Sequence, residues 1–113
     1  MISSVRLAAF SAGVLFCALT SPMPVIAAPD AAQVTVDNFS FSPAEIVVPA
    51  GTRITWVNHD DIPHTVVDAD DPKRMKSPPL DTDASYEHVF DKPGTYHYFC
   101  SLHPHMQGTV VVK

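Results

Sequence analysis

Positive charge is scarce in this sequence. Seven Lys and Arg stand against twelve Asp and Glu in 113 residues, a formal net charge of −5. An acidic chain of this size does not hold nucleic acid by neutralising phosphates. It is instead steered toward partners with a basic face. Cysteine is nearly absent, with only Cys17 and Cys100, so a disulfide framework is excluded as the basis of the fold. No internal repeat, low-complexity tract or sustained helical periodicity is present. No apolar run is long enough for a comfortable membrane span.

The one marked apolar run lies at the front. Arg6 gives a minimal positive start, Leu7 to Leu19 is broken only by Ser11 and Gly13, and Pro22, Pro24 and Val25-Ile26-Ala27-Ala28 follow. This is the order of a secretory signal peptide. Cleavage is expected after Ala27, because cleavage after Ala28 would leave Pro29 first. Residues 1–27 are then a leader and residues 28–113 a single domain, exported to the periplasm. The alternative is an uncleaved N-terminal anchor. Cys17 leaves with the leader, and bulky Phe16 before it argues against a lipidated cysteine. The mature chain keeps Cys100 alone, as a free thiol, half of an intermolecular bridge, or a metal ligand.

What remains reads as short strands between turn signals. Gln33 to Phe41 alternates, with Val34, Val36 and Phe39 on one side. Ser42-Pro43 stops it, and Glu45 to Val48 ends at Pro49-Ala50-Gly51. Thr52 to Asn58 puts Ile54 and Trp56 on one face and Arg53, Thr55 and Val57 on the other. Further strands are expected over Thr65–Val67, Tyr86–Phe90, Thr95–Cys100 and Gly108–Val112, with a turn at Lys92-Pro93-Gly94. Asp68 to Pro79 is polar and reads as a long loop. Seven to eight strands in fewer than ninety residues predict an all-β fold, a Greek-key β-sandwich. Such a domain can bury enough apolar surface without disulfides.

The chemistry concentrates at the end. Cys100 is followed by His103 and Met106, and His64 lies upstream in Ile62-Pro63-His64. A thiolate, two imidazoles and a thioether are the donor set of a type 1 copper site, His₂Cys with a weak axial Met. The soft thiolate suits Cu(I), the imidazoles suit both oxidation states, and the thioether tunes more than it holds. One copper ion at His64, Cys100, His103 and Met106 is therefore expected.

The segment Gly94 to Val112, with C-x-x-H-x-x-M before a valine strand, resembles the C-terminal copper loop of cupredoxins, the amicyanin and plastocyanin branch in particular. Trp56-Val57-Asn58 and Ile62-Pro63-His64 match the same pattern, and the likeness runs from Gln33 to Lys113. It implies a monomeric, non-enzymatic carrier of single electrons between redox proteins, such as a c-type cytochrome and a periplasmic dehydrogenase or reductase. Electrons would pass through the ring edge of His103, framed by Ile62, Pro63, Leu102 and Pro104. Two positions depart from the pattern. Thr65 stands where the family often has Asn, and its hydroxyl is expected to bond the backbone near Ser101. Leu102 stands where Pro is usual, and its N–H is expected to point at the Cys100 sulfur.

Other classes compete. A periplasmic copper-buffering or resistance protein would use the same ligands without a dedicated redox partner. An enzyme of the multicopper type places His beside the type 1 Cys, whereas Cys100 is flanked by Phe99 and Ser101. Zinc would leave Met106 without a role. Of the remaining histidines, His59, His97 and His105 are expected at the surface, His105 near the partner face, and His88 half-buried. Phe39, Phe41, Phe90, Tyr96 and Tyr98 read as core. The Asp68–Lys76 loop reads as a solvated face whose acidic and basic halves could orient docking.

Overall fold

The computed structural model describes residues 31–113, so the leader expected over residues 1–27 lies outside the described residues. Eight strands and no helix occur among them: β1 Ala31–Asp37, β2 Ser40–Ser42, β3 Glu45–Val48, β4 Thr52–Asn58, β5 Val67–Asp68, β6 Ser85–Phe90, β7 Gly94–Phe99 and β8 Gln107–Val112. They form two four-stranded sheets, ordered β2-β1-β4-β6 and β3-β8-β7-β5. β1 runs parallel to β4 and β3 parallel to β8, while the other pairs are antiparallel. The expected β-sandwich is the observed one.

Alternation explains the core. In β4 every second side chain from Thr52 to Asn58 is buried, and register places Trp56 beside Val34 of β1 and Tyr86 of β6. The opposite sheet contributes Val48, Tyr98, Val110 and Val112 to the same cluster. Trp56 and Tyr98 meet across the sandwich edge-on, with ring centroids 5.4 Å apart. Truncating a wholly buried Trp to Ala costs about 3–5 kcal/mol, so this layer anchors the two sheets. Gly108 faces Tyr98 across the β7–β8 ladder. A Cβ there would run into the Tyr98 ring, so any residue but glycine requires that buried ring to shift.

Three expectations need correction. The strand expected over Gln33–Phe41 is two strands, broken at Asn38 and Phe39, which have φ of +49° and +56°. Strict alternation from Val34 and Val36 already puts residue 39 on the outer face, and Phe39 is 52% exposed rather than core; the break shifts the parity so that Phe41 is buried. Next, the strand expected over Thr65–Val67 begins later, at Val67. His64 instead forms a bridge with Leu80, and the Thr65 N–H turns to the Cys100 sulfur.

Last, the Asp68–Pro79 segment is not simply solvated. Met75 and Ser77 are buried in it, and Leu80 just after it. Ser77 bonds the backbone of Val66 in both directions. Asp68 is itself buried and gripped by Arg74 through two bonds of 2.7 and 3.0 Å. The charges pair internally, because a carboxylate out of water requires a partner. No described helix is long and apolar enough to cross a membrane.

Candidate metal centre

The centre lies at one end of the sandwich, where the β4–β5 connection meets the β7–β8 loop. Asn58, the last residue of β4 and fully buried, staples the first of these. Its amide donates to the carbonyls of Ile62 and Leu80 at 2.9 and 2.8 Å, and its Oδ1 accepts the Asp60 N–H at 2.9 Å. His64 is then fixed by two backbone bonds with Leu80. The second loop closes on itself. The His103 N–H reaches the Cys100 carbonyl, the Met106 N–H reaches the His103 carbonyl, and the Cys100 N–H reaches the Met106 carbonyl, at 3.2, 2.9 and 3.1 Å.

These two loops bring three sequence-predicted donors together. The Cys100 Sγ lies 3.8 Å from Nδ1 of His64 and 3.7 Å from Nδ1 of His103, and the two nitrogens are 3.2 Å apart. Among the described residues this is the cluster of His, Cys, Asp and Glu able to hold a metal ion. A point equidistant from the three atoms lies about 2.1 Å from each, an ordinary metal–imidazole bond length and slightly short of metal–thiolate. The trigonal donors therefore fit a metal of copper's size without rebuilding. Met106, the fourth expected ligand, is buried in the same cluster as Cys100. His64 and Cys100 are wholly buried, whereas His103 is half-buried.

The sulfur is conditioned as a thiolate. Burial pushes the Cys100 thiol up, but hydrogen bonds to the sulfur, led by the Thr65 N–H at 3.3 Å, outweigh it and bring the pKa to about 6. The Thr65 hydroxyl also accepts the Ser101 N–H at 2.7 Å and bonds the Ser101 hydroxyl at 2.8 Å. This is the tie expected from Thr65 in place of Asn. The N–H expected on the sulfur from Leu102 is not there, and Thr65 supplies it instead. Leu102 lies half exposed at the rim.

Two groups escaped the sequence reading. Asp60, assigned to a polar turn, is buried, and its carboxylate lies 2.9 Å from Nε2 of His64. The His64 bond, together with the Phe39 N–H, holds the Asp60 carboxyl down to about 2. Phe39 sets its ring edge-on to both imidazoles, 5.7 Å from His64 and 5.1 Å from His103. Neither contact follows from a period-2 pattern, so alternation could not reveal them. The remaining histidines stand as expected: His59, His97 and His105 are exposed, and His88 is half-buried against Phe90. Burial lowers the His88 pKa.

The chain is similar to known proteins in sequence and fold. The cupredoxin-like domain family matches residues 7–112. Amicyanin-alpha from Methylorubrum extorquens is 34% identical over 110 residues, covering 95% of this chain and 92% of that protein. Plastocyanin from Scenedesmus fuscus is 34% identical over 84 residues, 65% of this chain and 86% of that one. Among solved structures, a purple cupredoxin from Nitrosopumilus maritimus superposes with a TM-score of 0.67 at 36% identity, covering 73% of this chain and 99% of that chain. With His64, Cys100 and His103 gathered at one end of the sandwich, and with relatives matched along most of their length, the chain belongs to the cupredoxin-like family.

Proposed function

We propose that this protein carries single electrons between redox proteins, using one copper ion held by His64, Cys100, His103 and Met106. The observation that carries this reading is the triangle of Sγ and two Nδ1 atoms, preformed at the sandwich end with His64 and Cys100 wholly buried and His103 half-buried. When bound there, copper supplies a one-electron couple between Cu(II) and Cu(I). The chain's own residues do the rest. Thr65 and Ser101 lock the two ligand loops to each other, so donor positions change little between oxidation states. Small geometric change is what fast electron transfer needs, and packed, hydrogen-bonded supports provide it.

The half-buried His103 is the ligand a partner can approach. Around it Phe39 and Leu102 are 52% and 49% exposed, and Pro63 and Pro104 are exposed as well. A small apolar rim of this kind favours brief docking with fast release. The rest of the acidic chain steers a partner with a basic face, such as a c-type cytochrome or a periplasmic dehydrogenase or reductase. We place the mature domain, residues 28–113, in the periplasm as a monomer, following removal of residues 1–27. It is read as a carrier and not an enzyme, because Cys100 is flanked by Phe99 and Ser101 and has no neighbouring histidine to wire it to a second centre.

The test is the visible and EPR spectrum of the copper-loaded mature protein beside Cys100→Ser. An intense sulfur-to-copper charge-transfer band with narrow copper hyperfine splitting, absent from the variant, is expected. A pale tetragonal spectrum indifferent to Cys100 would reject the ligand set. With the band present, the electron self-exchange rate separates carrier from buffer: rapid exchange is expected, and slow exchange would favour copper storage.

A further inference from the structure

The buried carboxylate of Asp60 has a role not contained in the four-ligand reading. It is held on several sides. Its Oδ2 accepts the Phe39 N–H at 3.2 Å, and its Oδ1 accepts the Asp61 N–H at 3.0 Å. Its own N–H is taken by Asn58, and its carbonyl accepts the Thr82 hydroxyl at 2.7 Å. So placed, Oδ2 meets His64 at 2.9 Å with both side chains out of solvent. An ionised carboxylate only accepts, so Nε2 of His64 must donate. A neutral imidazole with its proton on Nε2 has its lone pair on Nδ1, the atom aimed at Cys100 and His103.

We propose that Asp60 is the positioning residue of the metal centre. It fixes the tautomer and ring orientation of His64, and its negative charge favours the more positive oxidation state of the ion. Ligating histidines commonly give their second N–H to a carboxylate, a carbonyl or water. The choice matters here because a full charge inside the protein is weakly screened, and it stabilises Cu(II) more than Cu(I). The same oxygen holds the backbone of Phe39, whose ring leans on both imidazoles. One carboxylate thus orients the wholly buried ligand and seats the aromatic wall beside the exposed one.

The charge component rests on the copper reading, whereas the tautomer component does not, and the experiment separates them. In the metal-free protein, long-range proton–nitrogen NMR of His64 is expected to show the Nε2–H form alone, and a mixture in Asp60→Ala. A wild-type His64 protonated on Nδ1 would overturn the proposal, and this measurement needs no folded variant. In the copper-loaded protein, Asp60→Asn keeps the shape and one acceptor oxygen. It is expected to retain the charge-transfer band while Cu(II) affinity falls about tenfold relative to Cu(I), a rise in potential of about 59 mV for one electron. Asp60→Glu, which restores the charge, is expected to bring the potential back. An unchanged potential in a folded, band-forming Asp60→Asn means Asp60 only braces the loop, and the charge role is refuted. If the wild type forms no band, the copper reading fails and the tautomer result alone decides the role of Asp60.

Discussion

Thr65→Val removes one hydroxyl from a buried position and leaves shape nearly unchanged. Thr65 is 4% exposed, and its Oγ1 accepts the Ser101 N–H and bonds the Ser101 hydroxyl, at 2.7 and 2.8 Å. The backbone N–H of residue 65, the nearer donor to the Cys100 sulfur at 3.3 Å, survives the substitution. The loss therefore falls on the tie between the β4–β5 connection and the β7–β8 loop and on the weaker hydroxyl contact with the Cys100 sulfur at 3.7 Å. Leaving a part-buried donor unsatisfied costs about 1–3 kcal/mol, and no more than about 2 kcal/mol is expected because Ser101 itself is exposed. For a domain of this size that lowers Tm by no more than roughly 8–16 °C. Urea unfolding of the metal-free protein, with an unchanged slope, measures it. Thr65→Ser keeps the hydroxyl and is expected to lose markedly less. Equal stability of wild type and Thr65→Val would show that the two loops are not joined through this oxygen, and that the centre is not rigidified as argued.

Other consequences follow from the same contacts. Gly108→Ala drives a methyl into the Tyr98 ring and should destabilise the protein by about 1–3 kcal/mol, read by thermal melting; an unaltered Tm would mean Tyr98 moves freely. Arg74→Met strips the buried Asp68 carboxylate of its two charged bonds and should lower stability near neutral pH, read by urea unfolding. Burial pushes the Asp68 pKa up, but the Arg74 bonds and the Asp70 and Asp71 N–H groups hold it below the ordinary 3.8. Its contribution is therefore full above that value and is lost as pH falls through the lower folded one. The stability gap between wild type and Arg74→Met should accordingly close in acid, and a gap independent of pH would refute the assignment. Leu102→Lys adds charge to the half-exposed rim without touching a ligand bond. It should slow electron self-exchange several-fold, by placing like charge where two centres must meet, while leaving the charge-transfer band in place; an unaltered exchange rate would move the docking face elsewhere.

Legibility in the sequence followed periodicity. β4 was readable because Ile54 and Trp56 alternate with solvent-facing residues, and β8 because its valines precede the chain end; both strands are found within a residue of expectation. Cys100 and His103 meet because one short loop carries both, so sequence spacing is a fair guide to distance; Met106 follows in the same loop and is buried. His64 sits 36 residues before Cys100 and was found only through the Pro-His pattern. Asp60 and Phe39 had no such signal. A carboxylate four residues before a histidine faces it on a helix, but here a turn stapled by Asn58 makes the encounter, and turns have no fixed period. Phe39 looked like core because it is a large apolar residue, although strict alternation from Val34 and Val36 puts it on the outer face; the break at Asn38 and Phe39, with φ above zero in two consecutive non-glycine residues, is rare enough that its contact with the imidazoles had no signal.

That break also shows how the fold divides labour between the two imidazoles. If β1 ran straight through to Phe41, residue 39 would fall on the face of Thr35 and Asp37, opposite buried Val34 and Val36, and its N–H would enter the ladder. The positive φ instead turns the N–H to the Asp60 carboxylate and sets the ring against His64 and His103. A bulky residue in this region is strained by about 1–3 kcal/mol, and such strain persists only where the surroundings over-determine it. Here the surroundings are Asp60 below and two imidazole rings beside. His64, sealed under them and charge-bonded through Nε2, sets the geometry of the centre. His103, bonded within its own loop and left half-buried, is free to meet a partner. The backbone conformation at Asn38 and Phe39, far from both imidazoles in sequence, thus adds to an asymmetry that the Asn58 staple and the Leu80 bonds begin at His64.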